Sequence, residues 1–258
     1  MRWDATQYEK FDDQRTRPFD DLLARVPGKP GRIVDLGCGN GLATLRMLHR
    51  WPDATITGID SSDEMLTAAR DHDHDRRITW QRGDIADWRP TESPDLVVTN
   101  AALQWVPGHP AMIADWLPLL PSGGTLALQV PGNFEADSHR IIRELVAEHP
   151  RAGDLDRSLR RDPVLEPTGY AELLARHCVH VDVWETTYLQ LLDPTGQQEN
   201  PVLEWVRGTA LRPILAQLDE RETTDFLTEL DRRLALAYPR REYGVAFPFR
   251  RVFAVGTR

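Results

Sequence analysis

Cysteine is scarce in this 258-residue sequence, which contains two, Cys38 and Cys178. Two widely separated cysteines are too few for a disulfide framework or for a zinc site of the usual spacing. No apolar run approaches the roughly 20 residues that span a bilayer, and the start, MRWDATQYEKFDD, lacks the apolar stretch of a secretory signal. We therefore expect a cytoplasmic protein with reduced thiols, no membrane partner and no bound metal.

An excess of basic residues is also missing, because 31 Lys and Arg face 40 Asp and Glu, for a formal net charge of -9. Nucleic-acid binding needs a basic surface that displaces counterions, so this balance argues against a nucleic-acid partner and favours a small ligand. The length and the 41% hydrophobic content suit a single domain with one substantial core and an elaboration. The composition does not determine the oligomeric state.

Short β-branched runs alternate with amphipathic helical stretches over the first half of the chain, which is typical of a parallel sheet covered by helices. The predicted strands are Arg32 to Leu36, Thr55 to Asp60, a weaker run from Ile78 to Arg82, Leu96 to Asn100 and Thr125 to Val130. The predicted helices between them are Leu42 to Arg50, Ser62 to Arg70 and Pro110 to Leu120. The pattern predicts a Rossmann-like α/β fold with helices on both faces of the sheet.

The regular alternation of strands and helices ends after Val130. We predict a helix from Asp137 to Glu148, a surface loop from Pro150 to Pro163, a helix from Thr168 to His177 and a strand from Val179 to Tyr188. A helical stretch from 197 to 238 and a last strand from Val245 to Val255 follow. The chain then divides into an N-terminal helical cap (1–27), a cofactor-binding core (30–187), a helical lid (188–244) and a closing strand (245–258). Such a lid would cover the ligand-binding edge of the sheet.

The sharpest motif is VDLGCGNG, Val34 to Gly41, with three glycines at alternate positions after a strand and before a helix. Glycine takes positive φ and lets the backbone approach a ligand, and the helix that follows presents free amides. The dinucleotide pattern G-x-G-x-x-G would need glycine where this chain has Leu42, and no Gly-Lys-Ser/Thr follows. These two absences disfavour a nicotinamide-dependent oxidoreductase and a P-loop enzyme.

Acidic side chains follow at the ends of the neighbouring strands. Asp60 ends the second strand and can accept hydrogen bonds from both hydroxyls of a ribose. Asp84, in Gly83 to Ile85, could accept from an exocyclic adenine amine, while Ile85 packs on the ring. Asp35 is placed to meet a cationic amino-acid tail or a sulfonium, which favours S-adenosylmethionine over a nucleotide.

The combination of D-x-G-x-G-x-G, Asp60 and Gly-Asp-Ile resembles class I S-adenosylmethionine-dependent methyltransferases across residues 30 to 130. The resemblance implies a mostly parallel seven-stranded sheet and S-adenosyl-L-methionine as the cofactor. It implies that the glycine loop holds the methionine portion, Asp60 the ribose, Met65 and Ile85 the adenine faces and Asp84 the adenine amine. The implied cofactor-binding residues are Asp35, Gly37, Cys38, Gly39, Asp60, Ser61, Met65, Asp84, Ile85, Asn100 and Ala101, with the last two at the methyl end. Cys38 is interpreted as a small loop residue rather than a nucleophile.

A second resemblance, to the trans-aconitate methyltransferase family, covers almost the whole chain. It is carried by RWDATQY, RTRP, LLARVP, ITGIDSS, NAALQWVPGH, WETTY, GTALRPIL and AFPFRRVFAV, whereas residues 150 to 163 and 193 to 201 depart from the pattern. The resemblance implies a small anionic carboxylic acid as substrate, and a polycarboxylate needs arginine forks. The implied substrate-binding residues are Tyr8, Arg17, Gln104, Trp105, Tyr188, Arg212 and Arg251.

Several alternatives remain open from the sequence. Each arginine could instead be a surface residue, and Trp105 could belong to the core. Arg250 competes with Arg251, because adjacent strand residues face opposite sides. The acceptor could be another small carboxylic acid or a hydroxylated metabolite, and the chain could be a catalytically silent S-adenosylmethionine-binding module.

The expected reaction is an in-line attack of a substrate carboxylate on the sulfonium methyl, which gives a methyl ester and S-adenosylhomocysteine. A carboxylic acid of normal pKa is already ionised at neutral pH, so no general base is expected and no histidine is assigned a catalytic role. The cluster DHDHD, Asp71 to Asp75, resembles a metal-ligand set but is interpreted as a solvated connection.

Overall fold

A computed structural model describes residues 12–159 and 164–258, with side chains from Thr16 onward in the first helix. By their contacts these residues form two compact units. Unit 1 contains the described residues of Met1–Pro131, Pro163–Thr186 and Arg251–Arg258, and unit 2 contains those of Gly132–Asp162 and Thr187–Arg250. Every residue predicted to bind the cofactor lies in unit 1.

The first five strands of unit 1 are parallel neighbours. They are β1 (Arg32–Leu36), β2 (Thr55–Asp60), β3 (Ile78–Arg82), β4 (Leu96–Asn100) and β5 (Thr125–Pro131). β1 pairs with β2 on one side and β4 on the other, β3 pairs with β2, and β5 pairs with β4. The strand order therefore reverses between β1 and β4, and ligands of open α/β sheets bind at the carboxyl ends of the strands at such a switch point.

Two long strands continue the sheet, β6 (His180–Leu192) and β8 (Gly244–Thr257), in the order β3-β2-β1-β4-β5-β8-β6. β8 is antiparallel to β5. A two-residue strand, β7 (Arg240–Arg241), pairs with the start of β8 and makes eight strands among the described residues. The predicted Rossmann-like, mostly parallel sheet is confirmed, and β7 is the addition.

Ten α-helices accompany the strands in the described part of the chain. In chain order they are α1 (Asp12–Ala24), α2 (Leu42–Arg50), α3 (Asp63–His72), α4 (His109–Trp116), α5 (Asp137–Glu148), α6 (Ala152–Leu155), α7 (Pro167–Ala175), α8 (Pro201–Arg207), α9 (Arg212–Leu215) and α10 (Glu220–Ala237). The predicted start of α3 at Ser62 is confirmed by its cap. The Ser62 side chain accepts a hydrogen bond from Met65 N, which fixes the first turn of this helix. No helix in residues 12–159 or 164–258 combines the length and apolarity needed to cross a membrane.

The core of unit 1 is apolar because its central strands are covered on both faces. β4 and β5 are buried along almost their whole length, as expected for central strands of a doubly covered sheet. Leu36, Val97, Trp116, Tyr170 and Val252 are among the side chains of this core. Close packing in this core restricts the motion of the strands and of their carboxyl ends.

Unit 2 is organised around the packing of α5 against α10. Asp219 and Glu222 form a capping box at the start of α10, and Arg233 pairs with Glu148 at the end of α5. The Tyr238 hydroxyl accepts from the backbone N–H of Ser138, which satisfies a free amide in the first turn of α5. The predicted cofactor-binding core (30–187) included residues 132–162, and the described residues of this range belong to unit 2. The role of residues 188–244 as a lid stays a prediction.

Several bounds of the predicted elements differ from the structure, and the two largest differences lie in unit 2. The predicted surface loop after Pro150 contains α6 and a 3-10 turn at Asp156–Ser158, with Leu155 fully buried. A single apolar anchor gives no periodicity, so the sequence pattern missed this turn. The helical segment within 197–238 is divided into α8, α9 and α10, because Asp219 caps a new helix rather than continuing the previous one.

Candidate cofactor and acceptor site

The glycine loop after β1 is held against β2 by backbone hydrogen bonds. The N–H groups of Gly37 and Cys38 both donate to the Ile59 carbonyl, at 2.8 and 3.1 Å, and Gly41 N–H donates to the Cys38 carbonyl at 3.1 Å. Gly37, Gly39 and Gly41 have φ of +80°, +55° and +79°. The three glycines therefore take left-handed backbone conformations, which residues with a side chain rarely adopt.

The three glycines are required for different reasons. A Cβ at Gly37 would overlap the Cβ of Ala102, and a Cβ at Gly41 would lie 2.7 Å from Cη2 of Trp80. A Cβ at Gly39 would meet no atom within 4 Å. Protein packing thus excludes side chains at Gly37 and Gly41, whereas the space at Gly39 leaves the backbone open to close approach by a ligand.

Asp60 joins the end of β2 to this loop. Its Oδ2 accepts from Gly39 N–H and its Oδ1 from Ser62 N–H, each at 2.9 Å. A carboxylate has about four acceptor positions, so both oxygens can still accept from ligand hydroxyls. Asp60 therefore orients the loop and presents an acceptor to the same edge of the sheet.

Asp35 is a buried acid at the end of β1, 3% exposed, whose Oδ2 accepts from Thr44 Oγ1 at 2.6 Å. Burial raises the pKa of Asp35 to about 7; the Asp60 charge raises it as well, and the Thr44 hydrogen bond opposes the rise. Because burial disfavours the charged form, a cation bound beside Asp35 would stabilise its ionised state.

The residues predicted to surround adenine lie beside β2 and β3. Ile85 is buried, and its Cδ1 lies 3.2 Å from the position of a Cβ at Gly37. Asp84 is exposed and its Oδ1 accepts from Ala86 N–H at 2.9 Å. Met65 is buried in the first turn of α3, and Ser61 is exposed just before it. The Ile85 contact places the Gly-Asp-Ile motif directly beside the glycine loop.

The end of β4 combines backbone strain with a buried polar atom. Ala101 has φ of +53°, and its N–H donates to the Gln129 carbonyl at 2.9 Å. Asn100 Oδ1 is buried and has no hydrogen-bond partner among the described residues. A non-glycine residue in this conformation is costly, and such strain is concentrated at functional sites. Asn100 and Ala101 thus have the features expected of ligand-facing residues.

Arg251 and Arg250 are distinguished by their surroundings. Arg251 is 4% exposed and its Nη1 donates to Gln129 Oε1 at 3.0 Å, at the carboxyl end of β5. Arg250 is half-buried and its Nη1 donates to the Gly132 carbonyl at 3.0 Å. The Gln129 hydrogen bond orients the Arg251 guanidinium. Of the two, Arg251 is the buried cation beside the end of β5.

The other predicted acceptor residues are spread over the chain. In unit 1, Gln104 is half-buried and its Nε2 donates to the Ala101 carbonyl at 2.6 Å, while Trp105 is half-buried and Arg17 is exposed on α1. In unit 2, Tyr188 is buried on β6 and Arg212 is half-buried at the start of α9. Tyr8 lies outside the described residues. The structure therefore brings Gln104 together with Ala101, and Arg251 with Gln129.

Cys38 and His109 are both buried side chains. Cys38 is buried, and burial raises the pKa of its thiol far above the usual range, which disfavours the nucleophilic thiolate. His109 is buried at the start of α4 with Nε2 2.8 Å from the Tyr170 hydroxyl, and burial lowers its pKa. Burial therefore favours the protonated thiol of Cys38 and the neutral imidazole of His109.

Supporting residues were missed in the sequence because their roles depend on contacts across the fold. Asp73 of the DHDHD cluster is buried and accepts from Arg77 N–H, Ile78 N–H and Trp80 Nε1 at 3.0 to 3.2 Å, so its interpretation as solvated is wrong. Trp80, held in this way, packs against Gly41 and Gly58. Among the described residues, no group of three or more potential ligands is arranged for a metal ion.

Comparison with known proteins gives a consistent result. A family profile described as a methyltransferase domain matches residues 33–124. The chain is 47% identical to a trans-aconitate 2-methyltransferase of Streptomyces avermitilis, over 98% of this chain and 96% of the relative. It is 49% identical to one of Rhodococcus jostii, over 98% of each chain. It also resembles the solved structure of phosphoethanolamine N-methyltransferase 2 of Haemonchus contortus in complex with S-adenosyl-L-methionine, with a TM-score of 0.55, 15% identity and coverage of 93% of this chain and 52% of that one. The last similarity concerns the fold alone.

Proposed function

Because the chain belongs to the trans-aconitate 2-methyltransferase family of S-adenosylmethionine-dependent methyltransferases, we propose that it methylates a carboxylate of trans-aconitate, giving a monomethyl ester and S-adenosylhomocysteine. The observation that carries this proposal is the 47–49% identity over nearly the whole chain, which includes the segments outside the cofactor motifs. The cytoplasmic location stays a prediction.

The residues at the β1, β2 and β4 ends fit S-adenosylmethionine. The backbone of Gly39 is accessible, because a Cβ at this residue would meet no protein atom within 4 Å. Asp60 offers a carboxylate, and Asn100 Oδ1 is a buried acceptor with no hydrogen-bond partner among the described residues. When bound, this cofactor supplies an electrophilic methyl group on a sulfonium. The loop would hold the methionine portion, Asp60 the ribose, and Asp84 with Ile85 the adenine.

The protein's contribution to the reaction is binding and orientation. The acceptor carboxylate is already ionised at neutral pH, so no side chain needs to remove a proton. Arg251 supplies a buried positive charge that would orient the acid. Burial of this charge strengthens its attraction for a carboxylate relative to an exposed arginine, and correct alignment accounts for a large part of the rate in such reactions. Arg17, Arg212, Tyr8 and Tyr188 are proposed as further acid-binding residues.

The direct test is methyl transfer from labelled S-adenosylmethionine to trans-aconitate, cis-aconitate, citrate and isocitrate, with mass analysis of the product. We expect a monomethyl ester, with the highest kcat/KM for trans-aconitate. Preference for another acid would retain the chemistry and change the acceptor. Binding of the cofactor without methylation of any acid or hydroxylated metabolite would indicate a silent binding module.

Cofactor affinity should depend on pH through Asp35. The pKa of Asp35 is raised to about 7, so the acid is largely protonated at pH 6 and ionised at pH 8. If the cationic amino-acid part of the cofactor binds the ionised form, binding releases a proton and the affinity rises with pH. We expect the Kd of S-adenosylmethionine to fall by about tenfold between pH 6 and pH 8, measured by calorimetry.

Two variants check the origin of this pH dependence. Asp35→Asn should bind more weakly and show a flat profile over the same range. Thr44→Val removes a hydrogen bond that lowers the Asp35 pKa, so it should move the midpoint to higher pH. An unchanged profile in Asp35→Asn would assign the titration to another group.

A further inference from the structure

Gln129 is one of two buried polar residues of strand β5, and it contacts both Ala101 and Arg251. Its side chain is fully buried. Its Cα is the register partner of Asn100 on β4, its carbonyl accepts from Ala101 N–H, and its Oε1 accepts from Arg251 Nη1 at 3.0 Å. Gln129 therefore connects the end of β4 with the buried arginine.

The orientation of the Gln129 amide follows from the chemistry of its partner. A guanidinium can donate hydrogen bonds but cannot accept them, so the amide oxygen must face Arg251. Exchanging the oxygen and nitrogen would set an N–H against an N–H donor. The Nε2 nitrogen is consequently not bonded to the guanidinium, and it is buried with no hydrogen-bond partner among the described residues.

A buried amide nitrogen without an acceptor is costly, and the great majority of such groups in folded proteins are paired. Leucine or methionine would fill the same space in β5 without this cost. The amide can only donate at this nitrogen, so the missing partner must be an acceptor such as a carboxylate or carbonyl oxygen. The neighbouring Arg251 guanidinium attracts the same kind of group.

We infer that the Gln129 amide nitrogen donates a hydrogen bond to a carboxylate of the acceptor acid that Arg251 also binds. Gln129 then has two functions, since its oxygen holds Arg251 and its nitrogen contacts the substrate. Two neighbouring donors select a group that accepts at both oxygens, which an ionised carboxylate does and an ammonium or protonated amine does not. This inference rests on the proposed function, because the acid is the acceptor proposed above.

Binding of the acid in the presence of S-adenosylhomocysteine tests the inference without turnover. Calorimetry would compare wild-type protein with Gln129→Met, which removes donor and acceptor, and Gln129→Glu, which retains an acceptor for Arg251 but has no N–H. We expect the Kd of trans-aconitate to rise by about 10- to 100-fold in Gln129→Met. Gln129→Glu should bind no better than Gln129→Met, while both bind S-adenosylhomocysteine within about twofold of wild type.

Thr125→Val is the matched control. Thr125 is a buried polar residue at the other end of the same strand, where its Oγ1 lies 3.1 Å from Thr257 Oγ1. Its substitution removes a part-buried hydrogen bond from β5 and should leave the Kd of the acid within about twofold of wild type. If Gln129→Met does not fold, as judged by loss of S-adenosylhomocysteine binding, the comparison of Gln129→Glu with wild type decides the question.

A role limited to holding Arg251 predicts that Gln129→Met costs no further acid affinity once Arg251 is replaced by Met, whereas a direct contact predicts weaker binding by Arg251→Met/Gln129→Met than by Arg251→Met alone. Equal Kd values in these two variants, or binding by Gln129→Glu within about threefold of wild type, would overturn the inference. If wild-type protein methylates trans-aconitate and the Gln129 variants bind the acid as well as wild type, the inference is rejected and the proposed function is retained. If wild-type protein bound none of the four acids, the proposed acceptor class would fall and the inference with it. If it bound one of the other acids, the same variants would be measured with that acid.

Discussion

Replacing Arg251 by Met should lower kcat/KM for trans-aconitate by about 1,000-fold, equivalent to about 4 kcal/mol. Arg251 is a buried cation held by Gln129 at the carboxyl end of β5. Without Arg251, the carboxylate of the bound acid would be buried with no opposite charge from this residue, and such a loss is costly. The fold should survive, because methionine fills a similar volume and an apolar residue is tolerated at a buried charged position. Steady-state kinetics over a range of acid concentrations would measure the effect.

The matched control for this variant is Arg250→Met. Arg250 is the adjacent residue of the same strand, is half-buried and donates to the Gly132 carbonyl. We expect less than a tenfold change in kcat/KM and an unchanged Kd for S-adenosylmethionine. Equal losses in the two variants would contradict the assignment of the acid to Arg251, and a loss confined to Arg250→Met would reverse it.

The second large effect concerns the two neighbouring loop glycines, whose substitution by alanine should affect different properties. Gly37→Ala combines a left-handed conformation, which costs about 1–2 kcal/mol, with overlap of Ala102, which adds about 1–3 kcal/mol. We therefore expect Gly37→Ala to lower the Tm of the ligand-free protein by roughly 10 °C. Thermal unfolding followed by circular dichroism would measure it.

Gly39→Ala provides the comparison, since its φ is also positive but its Cβ would meet no atom within 4 Å. It should cost only about 1–2 kcal/mol of stability. Its methyl group would instead occupy space proposed for the cofactor, so the Kd of S-adenosylmethionine should rise by about 10- to 100-fold. Normal cofactor binding by Gly39→Ala would show that the ligand does not approach the backbone there.

The cofactor edge of the sheet could be anticipated from the sequence because its residues are tied to local patterns. A strand followed by alternate glycines and a helix produces the loop from Gly37 to Gly41, and Asp60 ends the next buried strand. The carboxyl ends of neighbouring parallel strands meet at one edge, so the Gly39–Asp60 hydrogen bond follows from the same topology. The resemblance to a known family added the identities of the ligands.

Other residues carried weaker local information. Gln129 interrupts the apolar run TLALQVP, and a polar residue in a central strand is a signal of a buried contact. Asp73 was misread because it lies in a run of polar residues, whereas its own carboxylate turns inward to the backbone of β3 and to Trp80. Both cases involve a single polar residue whose partner lies on another element.

The sequence by itself determined the parallel sheet, the bounds of its first five strands to within one residue and the glycine loop, because strand periodicity, helix capping and turn-forming residues act over a few neighbouring positions. Only the tertiary structure decided that Arg251 rather than Arg250 meets Gln129, that Thr44 holds Asp35, and that Trp80 requires glycine at position 41. These contacts join residues from different strands and helices, and packing rather than local conformational preference selects them.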